Sequence, residues 1–140
     1  GYGAWKLGLR ASHTFGAAAS LSGALDIVGD YKRNVEECSD RLPLFQGIFG
    51  SEEKLQGSDD DLLALARKLA DEGAQLPRLY AWCGTEDFLY QGNLKAWEHV
   101  KKLGYDLSSF ESSGDHQWKY WDEKIKDILC WWLGEGQILA

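Results

Sequence analysis

The chain has 140 residues, 44% of them apolar and 13% aromatic, and a formal net charge of -7 from 15 Lys/Arg against 22 Asp/Glu. That content belongs to a packed globular chain and excludes a disordered one. The acidic balance, without any Lys/Arg-rich run, excludes the electrostatic footprint of a nucleic-acid or anionic-membrane binder.

Tyr2 to Ala11 reads as a short, closely packed helix, with Tyr2, Trp5, Leu7 and Leu9 separated by Gly3, Ala4 and Gly8. His13-Thr14 breaks it, and the small or apolar run Phe15 to Leu21 suits a buried strand of a parallel sheet. Asp26 to Gly57 mixes charge, Gly, Pro43 and apolar residues without a sustained period, the pattern of an insertion of short helical pieces or a lid-like segment. Ser58 and the acidic run Asp59-Asp60-Asp61 cap an amphipathic helix expected from about Asp59 to Glu72, ended by Gly73. Arg78 to Gly84 is a second buried strand, and Tyr90 to Leu103 is a helix with Leu94, Trp97 and Val100 on one face and Gly104 as its stop. Tyr105 to Glu111 alternates weakly and is read as a third strand from its place between two helices. A last amphipathic helix follows, on Trp118, Trp121, Ile125, Ile128, Leu129 and Trp132, ending near Gly134. Strands alternating with crossover helices predict an α/β fold, a parallel sheet with helices on both faces.

In an open parallel sheet, functional residues sit on loops leaving the carboxyl ends of the strands. Two such loops carry titratable groups: Gly84-Thr85-Glu86-Asp87 offers a carboxylate and Gly114-Asp115-His116 an imidazole. An Asp after a strand is commonly a turn or capping residue, and a His beside Trp118 a surface one. Singly, each fits that plain role; together, on successive strand ends, they meet the need of a hydrolase for a base and a carboxylate that orients it. Ser20 and Ser22 lie outside any Gly-x-Ser-x-Gly setting and read as strand-end residues. His13 and His99 suit surface roles, and Cys83 reads as a small core residue near Asp87. Trp118-Trp121 and Trp131-Trp132 read as core and helix-packing residues rather than a ligand cage. Cys38, Cys83 and Cys130 form no CxxC or Cys/His spacing, and reduced thiols are expected. No Gly-x-Gly-x-x-Gly follows a strand, which excludes a dinucleotide binder.

Gly1-Tyr2-Gly3-Ala4 followed by Ala17 to Ala24 resembles the segment just after the nucleophile elbow in the tributyrin-esterase and S-formylglutathione hydrolase branch of α/β-hydrolases. Gly84 to Asp87 matches that branch's Gly-x-x-Asp acid loop, and Gly114-Asp115-His116 its Gly-x-His context. The resemblance covers essentially the whole chain, residues 1–140, the segment 26–57 only loosely. It implies the C-terminal half of an α/β-hydrolase domain, with Asp87 and His116 as two members of a Ser-Asp-His triad. The serine is then expected three residues upstream of Gly1, in a nucleophile-bearing N-terminal part absent from this sequence. The activity implied is hydrolysis of short acyl esters or thioesters without a cofactor or metal. The N-terminal half of the same hydrolase is the expected partner, a homo-oligomer is left open, and this segment by itself is expected to be inactive. The alternative is a non-catalytic α/β interaction module. No stretch approaches the ~20 apolar residues of a bilayer span and no leader pattern opens the chain, so a soluble, cytoplasmic protein is expected.

Overall fold

The computed structural model describes residues 1–134. Its elements run α1 (Tyr2–Arg10), β1 (Ala17–Leu21), α2 (Ile27–Glu36), α3 (Leu42–Phe49), α4 (Glu52–Leu55), α5 (Leu62–Asp71), β2 (Arg78–Gly84), α6 (Tyr90–Lys102), β3 (Leu107–Ser112) and α7 (Trp118–Leu133). The strands form one sheet in the order β1-β2-β3, all parallel, with Ala19 opposite Tyr80 and Tyr80 opposite Ser108.

The period-2 alternation of β2 divides the molecule into two layers. Leu79, Ala81 and Cys83 point to one face, where they join Trp5 and Leu9 of α1, Leu62, Leu65 and Ala66 of α5, and Ala96, Trp97 and Val100 of α6 in the main core. Gly8 lets α1 lie directly on β1, because a Cβ there would meet Ala18 Cβ at 2.7 Å. Tyr80 and Trp82 point to the other face and meet the α7 rings of Trp131 at 5.4 Å and Tyr120 at 6.2 Å. Helices therefore cover both faces, in the parallel α/β arrangement that the alternating pattern predicts.

Three boundaries differ from the sequence reading, each for a local reason. The α5 helix starts at Leu62 because Asp61, not Ser58, is its N-cap: the Asp61 carboxylate accepts the Ala64 N–H, while Ser58 Oγ accepts the Asp60 N–H in a preceding turn. Tyr105 lies before β3; its ring is in the main core and its hydroxyl donates to Ala66 O at 2.9 Å. Phe15 is exposed and precedes β1. The aperiodic segment after β1 folds as α2, α3 and α4 around a second cluster of Ile27, Tyr31 and Leu55, with Phe45 and Phe49 packed on it. Tyr31 Oη donates to Gly50 O at 2.8 Å and ties α2 to the end of α3.

The last helix departs most from expectation. Its half-buried seam runs through Tyr120, Trp121, Lys124, Ile128 and Trp131. Trp118, Ile125, Leu129 and Trp132 form a different stripe that faces away from the sheet, with Trp118 81% exposed. Of the Trp residues expected to pack in a core, Trp118 and Trp132 do not.

Candidate active site

Asp87 and His116 follow the carboxyl ends of the neighbouring strands β2 and β3. Parallel pairing of these strands brings the two loops together, and backbone bonds fasten one to the other: Thr85 N–H donates to Ser112 O at 3.0 Å and Glu86 N–H to Gly114 O at 3.1 Å. The Glu86 carboxylate accepts the Gly114 N–H at 2.5 Å, and this bond is the main reason its carboxyl is held below the usual range. The approach is close enough to demand glycine, since a Cβ on Gly84 would lie 2.0 Å from Gly114 O. Gly114 itself has φ +150, and a Cβ there would meet the Tyr120 ring at 3.0 Å.

Within this joined loop pair, Asp87 Oδ2 and His116 Nδ1 are 2.9 Å apart. The Asp87 side chain is 0% exposed, and its Oδ1 accepts the Leu89 N–H at 2.9 Å, so the carboxylate has a fixed direction. With Nδ1–H donated to Asp87, the Nε2 lone pair of a neutral His116 is free. The imidazole, 34% exposed, lies between the Phe88 ring and the edge of Trp121, each 4.8 Å from it between centroids.

His116 opens on a cleft of about 520 Å³. It is lined by Gly1 and Tyr2 at the N-terminus of α1, by Leu21, Ser22 and Gly23 at the end of β1, and by a wall of Asp30, Arg33, Arg41 and Phe45 from the α2–α3 segment, with the Arg41 guanidinium 5.9 Å over the Phe88 ring. Asp30 is 5% exposed, and burial raises its carboxyl from 3.8 to about 6 even with the Arg33 guanidinium 2.7 Å away. Sequence reading missed this wall, because its residues come from a stretch without periodicity.

The other candidates separate cleanly. Ser20 is fully buried and does not line the cleft, whereas Ser22 does, with its Oγ accepting the Trp121 Nε1–H at 3.1 Å. Cys83 is fully buried, and burial, with the Asp87 charge adding to it, pushes its thiol up to about 12, so it stays protonated. His13 is exposed as expected. His99 is not purely a surface residue: its Nε2 lies 2.9 Å from Leu63 O and links α6 to α5. All three cysteines are free. Among the described residues no helix is long and apolar enough to cross a membrane.

A parallel sheet covered by helices on both faces, with Asp87 and His116 on successive strand-end loops, fits the α/β-hydrolase class of fold. Comparison with known proteins narrows that class. The chain is 32% identical over 133 residues to an acetyl esterase of Caldicellulosiruptor saccharolyticus, covering 94% of this chain and 50% of that protein. It superposes on the S-formylglutathione hydrolase of Staphylococcus aureus with a TM-score of 0.77 at 28% identity, over 93% of this chain and 49% of the other. It also superposes on a fluorophosphonate-binding serine hydrolase of the same organism with a TM-score of 0.73 at 28% identity, again over 93% and 49%. No protein-family model matches. The chain is similar to these esterases and serine hydrolases, shares the α/β-hydrolase fold, and spans about half their length.

Proposed function

We propose that this chain supplies the acid and the general base of a serine esterase acting on short acyl esters or thioesters. The observation that carries this reading is the 2.9 Å contact between His116 Nδ1 and a fully buried Asp87 carboxylate, at the rim of an open cleft. Asp87 holds the imidazole in the tautomer whose Nε2 accepts a proton, and stabilises the imidazolium that results. His116 takes the proton of a serine hydroxyl as it attacks the acyl carbon, then returns it to the leaving alcohol or thiol. No Gly-x-Ser-x-Gly occurs in the chain, so the nucleophile belongs to polypeptide outside it, and the chain is the C-terminal half of the hydrolase domain. The α1 N-terminus lining the cleft adds its dipole to the stabilisation of the oxyanion.

The partner in this reading is the N-terminal half of the same hydrolase. Among the described residues β1 pairs only with β2, leaving its other edge open, and the α7 stripe of Trp118, Ile125, Leu129 and Trp132 is exposed. The same stripe is what an interaction module without catalysis would use. Co-expression with the N-terminal half of a relative, followed by assay on a chromogenic acetyl ester, separates the two readings. Turnover by the complex, lost on His116→Ala while the complex still forms, supports the esterase. A complex without turnover supports the module.

A further inference from the structure

The hydrogen bond to Asp87 does not by itself fix the plane of the His116 ring. Rotation about the Nδ1–Oδ2 line would swing Nε2 across the cleft while keeping that bond, and His116 stands in a loop between β3 and α7, not on a regular element. Two rings limit this rotation. Phe88 lies against one side, tilted by 47°, but is 52% exposed at the mouth of the cleft. Trp121 meets the imidazole at 82°, edge to face, and is the better held of the two.

Trp121 sits one turn into α7, and its indole N–H is donated to Ser22 Oγ, 99 residues away in sequence. Ser22 is 4% exposed and ends the β1 ladder, its N–H donating to Trp82 O at 2.8 Å. It has φ 47, in the left-handed region where a residue other than glycine is strained. A glycine would adopt this φ without strain, but would not accept the indole N–H. The strained position therefore presents one acceptor at the foot of the ring that stands against the imidazole.

We infer that Ser22 and Trp121 form a positioning pair: the Ser22 hydroxyl locks the Trp121 indole, and the indole fixes the plane of the His116 ring so that Nε2 points along the cleft. The inference rests on His116 being the base proposed above. Neither residue touches the reacting atoms in this role. Both act through the imidazole, so their loss lowers kcat and leaves KM nearly unchanged.

The test uses the soluble form of the protein, alone or with its N-terminal complement, with ¹⁵N-labelled histidine. Trp121→Phe keeps a ring but deletes the donor, while Ser22→Gly deletes the acceptor and relieves the strained φ. Each is expected to raise the population of turned-away ring orientations about 3- to 10-fold, the range a single hydrogen bond commands, read as exchange broadening of the His116 Nε2 resonance. The double variant should be no worse than the more affected single one, since the two changes break one link. Broadening unchanged in both single variants, or fully additive effects, would overturn the pair. Because this readout needs no turnover, it is separate from failure of the esterase reading, which His116→Ala tests. In the active complex, a rise in KM with unchanged kcat would also overturn it.

Discussion

The two faces of the sheet are finished differently. On the α1, α5 and α6 side, Trp5, Leu9, Leu62, Ala66, Leu79, Ala81, Ala96 and Val100 are each at most 1% exposed. On the α7 side no helix residue is fully buried, and four of the apolar residues on α7 face solvent at 43% or more. Yet α7 supplies Trp121 to the cleft, and the loop before it supplies His116. One face holds the main core, and the other borders the cleft where the chemistry is proposed, with association through the exposed stripe proposed above.

That division can be broken by substitution. The largest effect is expected for Trp5→Ala, which empties a core site 1% exposed and also removes the Nε1 bond to Tyr80 O; it should cost about 3–5 kcal/mol in chemical denaturation. Trp131→Ala, across the sheet, removes a half-buried ring and its bond to Ser108 Oγ and should cost about 1–2 kcal/mol. If it cost as much as Trp5→Ala, the faces would not differ as described. Asp30→Asn tests the cleft wall between them. Because the folded carboxyl is raised from 3.8 to about 6, the folded state binds more protons than the unfolded state between these values, and wild-type stability falls as pH rises through that window. Asp30→Asn should therefore be the more stable protein at pH 7, by on the order of 1 kcal/mol, with the advantage lost by pH 4. Equal pH profiles for the two proteins would remove the burial argument. The smallest effect is expected for Trp118→Ala, within about 0.5 kcal/mol, since its ring is 81% exposed. That substitution should instead weaken association with the N-terminal half proposed above, measured by light scattering.

How far the sequence foretold this arrangement depended on which interactions decide each part. β2 was legible because a continuous apolar run bounded by Pro77 and Gly84 has few other uses, and α6 because Gly104, at φ +90, stops a regular repeat. The juxtaposition of Asp87 and His116 was legible because strand-end position constrains it, and the structure brings the two within hydrogen-bond reach. The start of α5 was misplaced because four polar residues in a row all qualify as caps, and tertiary geometry chose Asp61. The exposed stripe of α7 was invisible because apolar periodicity reports which residues share a face, not what covers that face. Ser22 was read as a strand-end residue; neither its left-handed backbone nor its tie to Trp121 has a local signature. The Asp30 and Arg33 wall depends on contacts of α2 with α3, α4 and α6 that no repeat announces.

The close approach of Gly84 to Gly114 has a bearing on how such a molecule can change. The acid and the histidine hang from a single backbone junction, while the opposite wall of the cleft is built by α2 and α3 around an apolar cluster of its own. Substitutions at Arg33 or Phe45 of that wall can reshape what the cleft admits without touching the Asp87–His116 pair. In the esterase proposed above, selectivity and reactivity then rest on different segments, and libraries randomised at Arg33 and Phe45 should yield altered acyl preference more often than loss of turnover.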